Sequence, residues 1–390
     1  MNPSPNRQAR LTASIGLFFF LPLLSGVIGR WVKGKAVYSG LDFQSILCGG
    51  ALAADGKSRY WLHGEFACER YDAASSFIYL PWVADLGHDL TATFGAAPVL
   101  SAWAWVSIAS LAIAIYLPLL GAVPFASRKA RLPFASLITG SVVYWGNIAG
   151  LIYALFALST LFAARRPLLF VCLIIFAGAI KQTWLTGLVV ILLLDLPVWK
   201  RWLCFLVGAV VGLAPTLAFI LFADPAEVSA WATVTARTTM AHTPGQGLLG
   251  WLIFLGLPTQ SDWIVPIWFI YASILVTAGL GVVARYQPEG RARVWLGVLI
   301  MTLLIPRIVS YDFLLFAPGM ALVLSLAWSE GRKWLVRAVY GACILTALNG
   351  LMDSADAAIM LVTALSALSL VIIGLPHARA GIAQLLPCNS

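Results

Sequence analysis

Residues 167–194 read PLLFVCLIIFAGAIKQTWLTGLVVILLL, 28 residues in which Lys181 is the single charge. Crossing a hydrocarbon core takes about 20 residues of helix, so the run is too long for one straight passage. Its polar group Lys181-Gln182-Thr183 falls mid-run, and a lysine at bilayer centre costs several kcal/mol. We therefore expect a helical hairpin whose tip stops at or just below a membrane surface. The preceding run, Leu132 to Ala164, is also too long and is interrupted at Gly146-Asn147. It reads as a second hairpin.

Working outward from this pair, apolar stretches bounded by charges or Pro/Gly breaks continue in both directions. Leu11 to Gly29, preceded by Arg7 and Arg10, is longer than a signal-peptide core and reads as an uncleaved first helix. Pro98 to Gly121, Trp202 to Phe222, Trp263 to Ala284, Val294 to Ile305 and Phe313 to Trp328 follow, then two helices near 334–350 and 357–375. Ser76 to Leu86 is apolar but short, and Pro81 and Asp85 suit it to a re-entrant or interfacial segment. Polar loops occupy about 30–75 and 223–247. The chain of 390 residues is 61% hydrophobic and 11% charged, against about 25% charge in soluble proteins. The expectation is one all-α integral membrane domain over residues 1–390, a bundle of about twelve helices, some of them broken or short.

Charge sets the expected orientation. Loops on the N-terminal side hold sixteen of the 25 Lys and Arg residues. The positive-inside rule then places both termini in the cytoplasm, and the two long polar loops and both hairpin tips on the outer face. The basic residues are scattered, with no run or C-x-x-C pair to build a nucleic-acid module, so the net charge of +9 reflects topology. No His/Cys/Asp cluster has metal-ligand spacing, and no phosphate-binding glycine loop occurs. Cys172, Cys204 and Cys343 fall in apolar stretches and read as packing residues. Cys48 and Cys68 share the first loop and can pair if it faces an oxidising compartment, although spacing alone does not bring two β-carbons together.

This topology collects candidate chemistry on one rim: Asp42, Asp55, Glu65, Glu69 and Asp72 from the first loop, Lys181 from a hairpin tip, Arg237 and His242 from the second loop, and Arg307 with Asp312 from the break at 306–312. A carboxylate against apolar walls can serve as a general base, and Lys or Arg at bilayer depth can neutralise a lipid phosphate. Each has a plainer reading. Asp42 can be a helix N-cap or a solvated loop carboxylate, Lys181 can snorkel to the headgroups, Arg307 can pair with Asp312, and His242 can be a simple loop histidine. The tryptophans that border the spans, Trp31, Trp82, Trp202, Trp251, Trp263 and Trp334 among them, suit an interfacial belt.

Several local patterns occur in a telling order. Gly40-Leu41-Asp42-Phe43 follows the first helix, then the aromatic-Pro stretch Phe77-Ile78-Tyr79-Leu80-Pro81-Trp82, then Gly146-Asn147 opening a helix, Arg165-Arg166, Gly178-Ala179-Ile180-Lys181-Gln182-Thr183, and Pro306-Arg307-Ile308-Val309-Ser310-Tyr311-Asp312. Over roughly residues 10–320 this resembles the C-type glycosyltransferases, and within them the bacterial polyprenyl-phosphate-mannose-dependent α-mannosyltransferase family. Asn147 stands where Gln is commoner, and the aromatic stretch lacks a Pro-Pro, departures that bear on substrate more than on fold.

The resemblance implies a C-type glycosyltransferase fold in a bacterial inner membrane with its active site toward the periplasm. It implies a polyprenyl phosphate sugar as donor, a lipid or glycan as acceptor, and no nucleic-acid partner, metal or other cofactor. Asp42 would be the general base. Lys181 and Arg307 would offset the charge of the departing lipid phosphate, with Asn147, Arg237, His242 and Tyr311 as further substrate-binding residues. A transporter or flippase of a lipid-linked or anionic substrate is the rival reading, since it too uses broken helices with charged tips. It needs gates on both faces, whereas these polar interruptions all read as outward.

Overall fold

A leucine wedged between two glycines forms the centre of the 167–194 hairpin. Pro167–Ile180 is helical, Lys181 leaves the helix with φ −150° and ψ 118°, and the chain returns as a 3-10 turn, Gln182–Leu188, followed by the short helix Val189–Leu193. Leu185 lies so close to Gly178 and to Gly212 of the Val198–Phe222 helix that a Cβ on either glycine would stand 2.4 Å from its Cδ2. Leu188 meets Gly208 in the same way, at 2.5 Å. Small residues thus let three apolar segments approach closely, as helix packing in lipid requires. The single helix of 14 residues is about 21 Å long, short of a full crossing, so its polar end is left within the bundle.

In this computed structural model the described residues are 14, 16–36, 38–61, 68, 71, 76–238, 245–257, 262–350 and 356–386. They are helical with no strand among them. Among the described residues five helices are long and apolar enough to cross a membrane: Ala96–Leu120, Val198–Phe222, Ile264–Tyr286, Ser310–Ser329 and Asp356–Ala383. Shorter apolar helices, Leu21–Val32, Leu41–Ala54, Ile148–Ser159, Pro167–Ile180 and Gln182–Leu193, pack between them. A continuous buried apolar cluster runs from Phe19 to Ile373. Large apolar side chains such as Trp105, Val210, Leu221 and Phe222 remain exposed on the long helices, as expected where the solvent is lipid tails.

The ends of the bundle differ. The helix Ile264–Tyr286 spans 23 residues, about 34 Å. Near its start Trp268 Nε1 donates to Leu304 O at 2.9 Å, and at its far end the Tyr286 hydroxyl donates to Glu330. At that far end Arg293 faces Asp195 at 3.6 Å and Arg332 faces Glu330 at 3.3 Å. At the other, Arg59 pairs with Asp85 at 2.8 Å and with Glu227 at 2.7 Å, joining the two stretches expected as polar loops.

Those stretches are not loops throughout. Residues 41–54 form a 14-residue helix, with Ser45 through Leu52 buried, because Gly49 and Gly50 let it seat directly on the Pro81–Phe94 helix. A Cβ on Gly50 would stand 2.4 Å from Ala84 O. Pro225–Arg237 is also helical, started by Asp224, whose carboxylate accepts from Ala226 N at 2.8 Å. The short apolar segment beginning near residue 76 extends further than expected, as the helix Pro81–Phe94, which turns at Gly95 into the Ala96–Ile115 helix. Trp82 is half-buried, and its indole donates to Ala179 O at 3.0 Å. Of the free cysteines among the described residues only Cys343 is buried, while Cys172 is exposed on a helix face.

Candidate functional site

Two glycines with positive φ bring the first candidate residues together. Gly40 (φ 63°) caps the Leu41–Ala54 helix, and Gly146 (φ 57°) closes the Ser141–Trp145 turn. A Cβ on Gly146 would stand 2.8 Å from Gly40 Cα, so the two backbones touch where no larger residue fits. Ser39 N and Gly40 N donate to Tyr144 O at 3.1 and 3.3 Å, which locks the segments in register. The Phe43 ring stacks on Trp103 at 4.3 Å, and the Trp103 indole donates to Gly146 O at 2.9 Å. Between these fixed points Asn147 Nδ2 donates to Asp42 Oδ2 at 2.5 Å. Asp42 is therefore not the helix cap, which is Gly40. It lies in the first helical turn, where the helix dipole favours a carboxylate.

The second group comes from the break after Leu304. Asp312 is buried and accepts from the Tyr153 hydroxyl and, at 2.8 Å, from Val309 N. Trp184 Nε1 donates to the Tyr153 hydroxyl at 3.2 Å, which ties the Lys181 turn to the same network. Asp312, Arg307 and Asp42 are the described charges close enough to act on the Lys181 ammonium. Ser310 joins Ser141 at 2.9 Å, and Ser141 joins Thr139 at 2.7 Å, so hydroxyls bridge the 306–312 break to the segment before Gly146.

Members of both groups line one cavity of about 690 Å³, although Asp312 and its partner Tyr153 stand behind its wall and are not part of the lining, and the volume is within the range of small-molecule sites. Asp42, Asn147, Lys181, Arg307 and Tyr311 are all on its wall, together with the apolar Ile78, Ile253, Phe254 and Met360. Two cations and two carboxylates, Asp42 with Asn147 and Asp356 with Gln246, thus face the same space beside an apolar surface. That combination suits an anionic amphiphile and a proton to be removed.

Not every candidate is there. Arg237 is the exposed last residue of its helix and is not part of the cavity lining, whereas its neighbour Thr238 is. His242, Glu65, Glu69 and Asp72 lie outside the described residues. Asp55 is exposed at the C-terminal end of the Asp42 helix. The sequence reading had missed Tyr79, Ser141, Gln246 and Asp356 on the wall. A signal existed for Gln246, which Gly245 and Gly247 flank at the end of the second polar stretch. None existed for Asp356, which simply begins the last long apolar helix.

The pair Cys48 and Cys68 is disulfide-bonded, with Cα atoms 6.1 Å apart, fastening the Asp42 helix to the segment after it. No family model matches this chain, and no curated protein or solved structure does either.

Proposed function

We propose that this protein is a membrane glycosyltransferase that moves a sugar, mannose or a similar hexose or pentose, from a polyprenyl phosphate to a hydroxyl of a lipid or glycan acceptor. The observation that carries this reading is the single cavity in which Asp42, held by Asn147, faces the same space as Lys181 and Arg307. Asp42 takes the proton of the acceptor hydroxyl as its oxygen attacks the anomeric carbon. The bond from that carbon to the phosphate oxygen breaks, the electron pair leaves with the phosphate, and Lys181 and Arg307 offset the charge that develops there. Attack opposite the leaving group inverts the anomeric configuration, and the products are a glycoside and polyprenyl phosphate. Ile78, Ile253, Phe254 and Met360 supply an apolar wall for the first isoprene units.

In this reading the fold is of the C-type glycosyltransferase kind, a bundle of about twelve helices in which short and broken ones pack among the five long enough to cross. The termini are cytoplasmic, and the cavity opens to the periplasmic side of a bacterial inner membrane. The Arg59, Asp85 and Glu227 cluster supports placing the two polar stretches on one side, away from the basic turns that hold Arg293 and Arg332. Purified protein incubated with synthetic polyprenyl phosphate mannose and a hydroxylic acceptor should release polyprenyl phosphate and form a glycoside. Unaltered donor across a panel of sugars and acceptors would remove the proposal.

A further inference from the structure

Gln246 is held on the cavity wall from three directions. Its backbone N–H donates to Ile308 O at 2.7 Å, its carbonyl accepts from Thr363 Oγ1 at 2.7 Å, and its Nε2 donates to Asp356 Oδ1 at 2.6 Å. The flanking glycines make the approach possible, since a Cβ on Gly245 would stand 2.5 Å from Ile308 O and one on Gly247 2.8 Å from Ile308 Cγ1. The residue is only 8% exposed, and its Oε1 is buried with no hydrogen-bond partner among the described residues. A buried acceptor left unpaired is costly, and this one belongs to a residue of the cavity wall. Asp356, on the same wall, is exposed and presents its carboxylate beside that amide. The last torsion of a glutamine is soft, so the amide can turn to bring Oε1 toward the cavity, and as it turns Nε2 leaves Asp356 Oδ1 and frees that carboxylate for a ligand.

We propose that Gln246 and Asp356 form the subsite that reads the hydroxyls of the donor's sugar, one hydroxyl donating to the Asp356 carboxylate and its neighbour to Gln246 Oε1. This inference rests on the glycosyltransferase reading and deepens it. Two acceptors side by side, one charged and one neutral, match a pair of adjacent hydroxyls and not a second phosphate. Position selects the donor over the acceptor. Gln246 is bonded to the backbone next to Arg307, which handles the phosphate, and the transferred sugar is joined to that phosphate. The acceptor must enter from the Asp42 side if the configuration is to invert. A site built around substrate hydroxyls discriminates strongly against an analogue lacking one, because its own polar groups are then left unpaired.

The test compares wild type, Gln246→Leu and Asp356→Asn, all checked for an unchanged unfolding temperature. The probes are short-chain polyprenyl phosphate mannose, its monodeoxy analogues and bare polyprenyl phosphate, measured as binding to detergent-purified protein. Wild type should prefer the mannosyl ligand over at least one monodeoxy analogue by about tenfold or more. Both variants should lose most of that preference, while binding of bare polyprenyl phosphate stays at the wild-type level. Because Asp356 is exposed, its variant reports even if Gln246→Leu misfolds. A preference retained in a folded Asp356→Asn, or absent from wild type, overturns the subsite and leaves the transferase reading standing. Failure of wild type to bind bare or glycosylated polyprenyl phosphate overturns both.

Discussion

Asn147 uses both ends of its amide: Nδ2 donates to Asp42 Oδ2 at 2.5 Å, and Oδ1 accepts from Ala149 N at 2.7 Å as the cap of the Ile148–Ser159 helix. One side chain therefore starts a helix and orients a carboxylate borne on another. The helix cap fixes which end of the amide faces Asp42, so the group offered to the carboxylate is a donor. A donor stabilises the ionised form of a carboxylate, and a base must be ionised to act.

This arrangement separates structure from chemistry at a single position. Asn147→Asp keeps the cap, because aspartate caps about as well as asparagine, but it removes the donor and sets a second carboxylate against Asp42. Like charge disfavours ionisation, so the acid limb of the rate profile should move to higher pH. Activity at neutral pH should fall with the unfolding temperature nearly unchanged. Asn147→Ser also keeps a cap and removes the donor without adding charge, so its limb should move less. Identical pH profiles in all three proteins would show that Asn147 acts on the helix alone.

At the hairpin tip, Lys181→Met exchanges a charge for an apolar chain of similar length. If the ammonium holds the donor phosphate, donor KM should rise at least tenfold, the order expected for a charge-assisted contact worth about 1.5–3 kcal/mol, and folding should be intact. A lysine that only snorkels would leave both KM and kcat where they were. Steady-state kinetics over a range of donor concentration decides between them.

The hairpin was legible because an apolar run of 28 residues with one central lysine has few ways to sit in a bilayer. Asp42 and the 306–312 break stood out because polar residues there interrupt or directly follow apolar segments. What escaped was helical structure inside polar composition. Residues 41–54 contain Asp42 and Gln44 and sit between charged stretches, so their apolar run read as part of a loop, and it is tertiary contact, above all that of Gly49 and Gly50 with Phe77 and the Pro81–Phe94 helix, that explains their burial. The Gln246 to Asp356 contact spans 110 positions, and the Tyr153 to Asp312 contact spans 159. Neither leaves a local pattern for sequence to carry.

Closing a loop of 20 residues between Cys48 and Cys68 should stabilise the fold by about 3 kcal/mol on the chain-entropy account. Reductant should therefore lower the unfolding temperature of the wild type. A Cys48→Ala, Cys68→Ala double variant should start from the lower temperature and be insensitive to reductant. Equal reductant sensitivity in both proteins would place the effect elsewhere.

Orientation is open to a direct experiment. A topology reporter fused after Lys129 should read as cytoplasmic, because the segment holds Arg128, Lys129 and Arg131 and basic loops stay inside. One inserted near Gly56, an exposed position beside the Asp42 helix, should read as periplasmic. Both reporters on one side would remove the assignment of the cavity to the outer face.

The mechanism depends most on Asp42→Asn. The amide is nearly the size of the carboxylate and can still hydrogen-bond, but it cannot take a proton from an acceptor hydroxyl. Loss of a general base costs about two to four orders of magnitude in rate, and the loss should fall on kcat while donor binding stays near wild type. Position in the helix sharpens the comparison. Gly40, not Asp42, is the cap, so the substitution removes no capping bond, and the lost interaction of a carboxylate with the helix dipole is worth about 0.3–1 kcal/mol, too little to unfold the bundle. Asp55, exposed at the other end of the same helix, is the control, and Asp55→Asn should retain full activity. Single-turnover transfer and donor binding would be measured for both variants. Near-normal turnover in Asp42→Asn removes the proposed base, and an equal loss in both variants points to the net charge of this region in place of one carboxylate.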